Sequence, residues 1–222
     1  MNQPSFSVLR AVCASSAVSL VVGLGACGSR PSPTEPTTPT GPSAPLPALE
    51  EMLAEKVLGD PAAPISMIEY SSLTCSYCAD FHSTTLPLIK MHYIDTGKVR
   101  FMYRDFPLDN GTALSASMVG RCSGDQFFTV IDLLYRTQGT WAGSSNVASA
   151  LKTIVAPVGM TAAEVNTCLA STELRNGILA IRSRGQTEFG VRMTPTFLIN
   201  GQKVEGALPY GSFAAIFQGM LP

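Results

Sequence analysis

A chain of 222 residues, 45% hydrophobic and only 14% charged, is long enough for one sizeable core plus an inserted lobe. Its formal net charge is −1 and no Lys/Arg cluster occurs, so the electrostatic footprint that nucleic-acid binding requires is missing and that class of partner is excluded.

The chain opens on an apolar run from Ala11 to Leu24, preceded by Arg10 and closed by Leu24-Gly25-Ala26-Cys27. The run is too short for a permanent membrane span and reads as an export signal covering residues 1–26. Small residues ahead of a cysteine resemble the bacterial lipoprotein lipobox. That resemblance implies a lipid on Cys27 and anchoring on the periplasmic side of a bacterial envelope; a plain secretory signal is the simpler reading. Residues 27–47 follow as a tether, because Ser29 to Pro47 holds seven prolines and almost no large apolar side chain. Such composition favours extended polyproline-like chain over a packed core.

Six cysteines are present. Cys13 falls in the signal and Cys27 is committed to lipid if the lipobox holds, leaving Cys75, Cys78, Cys122 and Cys168 in a compartment where disulfides persist. Four cysteines allow three pairings. Cys75 and Cys78 are close enough for a tight redox-active ring, which leaves Cys122 with Cys168 as a long-range structural bridge. The competing arrangement is a four-thiolate zinc site, but structural zinc draws on two close pairs and Cys122 and Cys168 lie 46 positions apart. No metal and no cofactor are expected.

The first β-prone stretch is Ala63 to Tyr70, with Ile65, Met67 and Glu69 alternating onto one face. A helix is expected from about Cys75 to Ile94, with Cys78, Phe81, Leu88 and Ile89 near helical spacing and a kink at Pro87. Lys98 to Phe106 reads as a second strand of the same sheet. From 109 to 186 the period turns helical: Leu114, Met118 and Cys122 form one stripe, Phe127, Ile131, Leu134 and Tyr135 another, and Val147, Leu151, Ile154 and Val155 a third. Thr161 with Glu164 makes a capping-box signature ahead of Val165, Cys168 and Leu169. The β signal returns at Thr196 to Ile199, turns at Asn200-Gly201 and runs back through Gln202 to Glu205. A last helix carries Phe213, Ile216, Phe217 and Met220. The expected plan is a core from 48–108 and 187–222 with a helical domain, 109–186, inserted.

A cysteine opening a helix lies at the positive end of the macrodipole, beside unpaired N–H groups that favour thiolate over thiol. Cys75 is therefore the expected nucleophile, and Cys78, one turn deeper, the resolving thiol. Pro195, at the mouth of a strand, must serve a turn or an edge; cis X-Pro bonds make up only about 5–6% of cases, so backbone physics favours trans. His82, one turn after Cys78, is placed to influence its titration but reads first as a single packing or surface histidine, and His92 has no evident partner. Met67, Met91, Met102 and Met118 read as core filler, since no tight Met/His cluster forms.

Taken together, these residues resemble the DsbA-like branch of the thioredoxin superfamily. The resemblance rests on Glu69 six positions before Cys75, Cys75-Ser76-Tyr77-Cys78, Arg104-Asp105-Phe106-Pro107, the helical insertion, Thr194-Pro195-Thr196-Phe197, Asn200-Gly201 and Glu205-Gly206-Ala207. It implies a thioredoxin-like α/β fold, a cis Pro195 packed against the Cys75–Cys78 pair, an exposed Thr194 backbone on which substrate cysteines dock as an added strand, and a buried acid at Glu69, for which an exposed strand-edge glutamate is the rival reading. It also implies exported, cysteine-containing protein substrates and a quinone-linked membrane oxidase as reoxidant. Two departures bear on direction: Ser76-Tyr77 stands where the best-known oxidases have Pro-His, and Thr194 where they have valine. An isomerase or reductase, and a peptide-binding lipoprotein without turnover, are the rival readings.

Overall fold

The computed structural model describes residues 45–221. The expected signal, Cys27 with its lipid and most of the tether lie outside those residues. In chain order the elements are α1 (Leu49–Leu53), β1 (Lys56–Leu58), β2 (Ile65–Ser71), α2 (Ser76–Asp80), α3 (Leu86–Ile89), β3 (Val99–Asp105), α4 (Thr112–Cys122), α5 (Phe127–Arg136), α6 (Gln138–Trp141), α7 (Val147–Val155), α8 (Ala162–Ala170), α9 (Thr172–Glu188), β4 (Thr196–Ile199), β5 (Gln202–Glu205) and α10 (Tyr210–Gln218). The five strands form one sheet in the order β1-β3-β2-β4-β5. Only β2 and β3 run parallel; the other neighbours are antiparallel. Six helices, α4 to α9, stand between β3 and β4. This is the expected α/β fold with a helical insertion. Among the described residues no helix is long and apolar enough to cross a membrane.

The parallel register sets Glu69 beside Tyr103 on β3, and the antiparallel register sets it beside Phe197 on β4. Ile65, Met67, Val99, Phe101, Phe197 and Ile199 share that buried face with Glu69. Asn200 and Gly201 both take positive φ, +46° and +85°, the two left-handed positions of a tight hairpin turn. The Asn200 side chain accepts from the Ser66 N–H at 2.8 Å, which ties the hairpin to β2.

Two expectations need correction. The irregularity around Pro87 takes the form of π-turns, at Phe81–Thr85 and Lys90–Ile94, either side of α3. The Leu86 N–H reaches back five residues to the Phe81 carbonyl, so the widened turn relieves the clash that the proline ring makes with the preceding turn. The extra residue also rotates the apolar phase: Leu86 and Ile89 are buried, while Leu88, expected on the core face, is 38% exposed. The same shift turns Met91 out to 60% exposure, whereas Met67, Met102 and Met118 do fill the core.

Candidate active site

β2 delivers the chain from the sheet centre into a short loop, which the helix catches at Cys75. The Cys75 N–H returns to the Ser72 carbonyl at 3.0 Å, and Cys75 itself, at φ −83° and ψ 120°, is the cap of α2. Its sulfur takes the capping role that a hydroxyl or carboxylate plays elsewhere: the Cys78 N–H points at Sγ over 3.4 Å. A side chain from the insertion braces the loop, with Gln138 Nε2 donating to the Leu73 carbonyl at 2.8 Å and the Cys75 carbonyl at 3.0 Å. Both active-site cysteines are thiols here; Cys78 is fully buried and Tyr77, between them, is 66% exposed.

These surroundings drive the two thiols apart. The Cys78 side chain, the Thr194 side chain and the N–H groups of Cys78 and Tyr77 outweigh burial and lower the Cys75 pKa to about 6. Burial, then the hydrogen bond to Cys75, then the charge of Glu69 push Cys78 far upward. One sulfur is thus a thiolate at neutral pH and the other holds its proton.

The second wall is the loop before β4. The Thr194-Pro195 peptide bond is cis. The Thr194 carbonyl accepts from the Cys75 thiol at 3.2 Å. Thr194 Oγ1 is buried and has no hydrogen-bond partner among the described residues. The loop is pinned by Thr196 Oγ1 donating to the Met193 carbonyl at 2.7 Å and by the Gly206 N–H donating to the Pro195 carbonyl at 2.9 Å.

Beneath Cys78 lies a closed polar cluster. Glu69 is fully buried; its Oε2 lies 2.9 Å from His82 Nε2, and its Oε1 has no hydrogen-bond partner among the described residues. The His82 ring stacks on Tyr135, with centroids 4.3 Å apart and planes 30° from parallel, and meets the edge of Tyr103. Tyr135 OH binds Ser71 Oγ at 2.7 Å and Tyr103 OH at 3.3 Å. Burial holds both phenols protonated, with pKa values well above the ordinary range. The expectation of His82 as an ordinary packing or surface histidine omitted this pairing. The readable signal was its i, i+4 position from Cys78, which faces a strand whose alternation turns Glu69 inward.

Two further relationships frame the site. Arg121, 1% exposed, donates from Nε to Asp105 Oδ2 at 2.7 Å and from Nη1 to the carbonyls of Met52 and Ala54 at 2.9 and 2.7 Å. It clamps α1 to the end of β3. Cys122 on α4 and Cys168 on α8 are bonded to each other, so the four-thiolate arrangement is not assembled. His92 makes a ring contact with Tyr210.

Residues 52–218 match a family model described as thioredoxin. A protein named as a protein-disulfide oxidoreductase in Rickettsia bellii is 32% identical over 158 residues, which is 68% of this chain. The chain spans 59% of that relative's length. The solved structure of Wolbachia pipientis alpha-DsbA1 superposes with a TM-score of 0.70 at 31% identity, covering 75% of this chain and 90% of that one. BdbD from Bacillus subtilis, at 17% identity and a TM-score of 0.68, covers 80% and 97% and shares the fold. With the cysteine pair capping its helix and a cis-proline loop closing over it, the chain belongs to the DsbA-like branch of the thioredoxin family.

Proposed function

We propose that the protein is an exported thiol:disulfide oxidoreductase that works as a dithiol oxidase on cysteine-containing envelope proteins. The observation that carries this reading is the split between the cysteines: Cys75, at a helix cap with a pKa of about 6, beside a buried Cys78 pushed upward. A substrate thiolate attacks Cys75 Sγ of the oxidised pair, the Cys75–Cys78 bond breaks, and Cys78 leaves and takes up a proton. The substrate's second thiolate then attacks the substrate sulfur of the mixed disulfide, and Cys75 departs as a thiolate. Two electrons pass from substrate to enzyme. Stabilising the Cys75 thiolate favours the reduced enzyme and hence makes its disulfide more oxidising. At pH 7 a fall from the ordinary thiol value of 9.0 to about 6 favours reduction by roughly tenfold, or about 30 mV.

The carbonyl of Thr194 beside Cys75 supports docking of the substrate as an added strand, and the buried carboxylate of Glu69 supports a role in tuning Cys78. Pro195 holds the loop, and Cys122–Cys168 staples the helical lobe. Resemblance alone supports the lipid on Cys27, the periplasmic location and a quinone-linked oxidase as the source of new disulfides. A second reading, isomerase or reductase, is favoured by the same thiol: helix-capping cysteines of this superfamily run from about 3.5 in strong oxidases to about 7 in thioredoxin, and Cys75 lies nearer the latter.

Equilibration of the Cys75–Cys78 pair with a glutathione redox buffer, read by thiol trapping and mass analysis, separates these readings. A readily reduced pair fits the oxidase. A pair that stays oxidised until conditions are strongly reducing fits a reductase, and one that never exchanges overturns both.

A further inference from the structure

We propose that His82 is the positioning residue and proton gate for the resolving cysteine: it fixes Glu69 through Oε2, leaves Oε1 as the face that serves Cys78, and connects that sealed carboxylate to solvent. The inference rests on the thiol:disulfide reading and deepens it. Whenever the Cys75–Cys78 bond breaks, the Cys78 sulfur departs into a site with no solvent exposure and must find a proton there. The groups facing His82 are Glu69 from β2, Tyr103 from β3, Tyr135 from α5 and the Phe81 ring beside it, and Cys78 lies four positions earlier in the chain. Both phenols hold their protons and are bound to each other, and Tyr135 also to Ser71. Glu69 is the acid that remains.

A lone carboxylate with no solvent exposure is costly, and a partner that can share its proton lowers that cost. His82 Nε2, 2.9 Å from Oε2, is that partner, and its residue keeps 5% exposure where Glu69 keeps none. The order of exposure gives the path. Glu69 passes a proton from Oε1 to the departing Cys78 sulfur, and His82 passes a replacement from solvent to the carboxylate. In the reverse step Cys78 returns its proton to Oε1 while Oε2 releases its own through His82 to solvent, and the Cys78 thiolate attacks Cys75 Sγ of the mixed disulfide and releases the substrate thiolate. Atoms and charge balance with one solvent proton per cycle. The orphaned Oε1 is explained by this role, since a fixed partner there would block the exchange.

The test uses the full chain, oxidised, reacting with a dithiol peptide from pH 5 to 8.5, in wild type, His82→Gln, His82→Phe, Glu69→Gln and the Glu69→Gln/His82→Phe pair. Exchange of the wild type with glutathione is measured first; its absence defeats the functional reading itself, before His82 is at issue. Given exchange, His82→Phe and Glu69→Gln are each expected to slow the reaction at pH 7 by at least tenfold, toward the about 10²–10⁴ that general acid–base catalysis contributes. The double variant should be no slower than Glu69→Gln alone, because the two act as one unit. His82→Gln keeps a donor for Oε2 but cannot relay a proton, so once the rate at each pH is divided by the peptide's own thiolate fraction it should lose the pH dependence that the wild type retains below pH 7. Alkylation of Cys75 in the reduced variants should change less than threefold. A wild-type pH profile in His82→Gln, or losses that multiply in the double variant, overturns the proposal.

Discussion

Thr194 meets Cys75 with its backbone and leaves its side chain unspent: the carbonyl accepts from the thiol at 3.2 Å, while Oγ1 is buried with no partner among the described residues. The carbonyl can bond only the protonated sulfur. Once Cys75 ionises, the hydroxyl is the group of Thr194 that can donate to it, and the Thr194 side chain is indeed among the causes that lower the Cys75 pKa.

Thr194→Val should therefore have effects of opposite sign. Removing a buried, unpaired hydroxyl is expected to raise the stability of the protein by about 1 kcal/mol in urea unfolding. Loss of the donor should move the pH midpoint of Cys75 alkylation above 6 and make the disulfide a weaker oxidant. An unchanged midpoint would show that Thr194 acts through its backbone alone.

The largest cause of the low Cys75 value is the Cys78 thiol. In the reduced wild type, alkylation of Cys75 should rise through a midpoint near pH 6 and level off above it. In Cys78→Ala the midpoint should move up toward the ordinary thiol range, although the sulfur attacked is untouched. The sign carries over to stability. A folded value below the unfolded one means that the reduced protein gains on the oxidised one as pH rises from about 6 toward the ordinary thiol value of 9.0, and loses that advantage as pH falls back through 6. Paired denaturation curves at pH 5.5 and 8 read the difference directly.

Regular period and turn chemistry made much of this site legible in the sequence. Alternation along 65–69 turned Glu69 inward, and Asn200-Gly201 marked the hairpin that carries Pro195 to the cysteines. The capping box at Thr161 and Glu164 is present as written. What escaped notice depends on contacts between distant segments. β1 is three residues long, too short to show a period, and becomes a strand only by pairing with β3. Gln138, 63 positions from Cys75, carries no local mark of the loop it braces. Leu88 was misplaced because a π-turn breaks the 3.6-residue phase on which the stripe was counted.

Arg121 sits in the apolar stripe of α4, between Met118 and Cys122, where a charge has no place unless paired. Its partners are Asp105 and two carbonyls of the segment around α1. Arg121→Met should destabilise the fold by about 3–5 kcal/mol, because it strands a buried carboxylate whose Oδ1 already lacks a partner among the described residues. Adding Asp105→Leu should recover most of that loss, since the burden lies in the unpaired charge. If the double variant is no more stable than the single, the ion pair contributes by its attraction rather than by compensating its own burial.

The Cys122–Cys168 bond joins α4 to α8 across a sequence separation of 46. Both sulfurs are buried, and Cys168 also lies 3.0 Å from the Met118 carbonyl. Its expected work is to shorten the unfolded chain's reach: closing a loop of that size is worth about 4 kcal/mol in the chain-entropy treatment. For a chain of this length that corresponds to roughly 8–16 °C of melting temperature. With the Cys75–Cys78 pair already reduced in both proteins, the Cys122→Ala/Cys168→Ala double variant should show such a fall and no further response to stronger reductant, whereas the wild type should approach it only when reductant is strong enough to open a buried bond. Exchange of Cys75–Cys78 with glutathione should stay within threefold, because the bridge sulfurs lie against Met52 and the Met118 carbonyl, which belong neither to the loop that Gln138 holds nor to the cluster around Glu69. A large change in that exchange with little change in melting would assign the bridge to the chemistry of the site instead of the stability of the lobe.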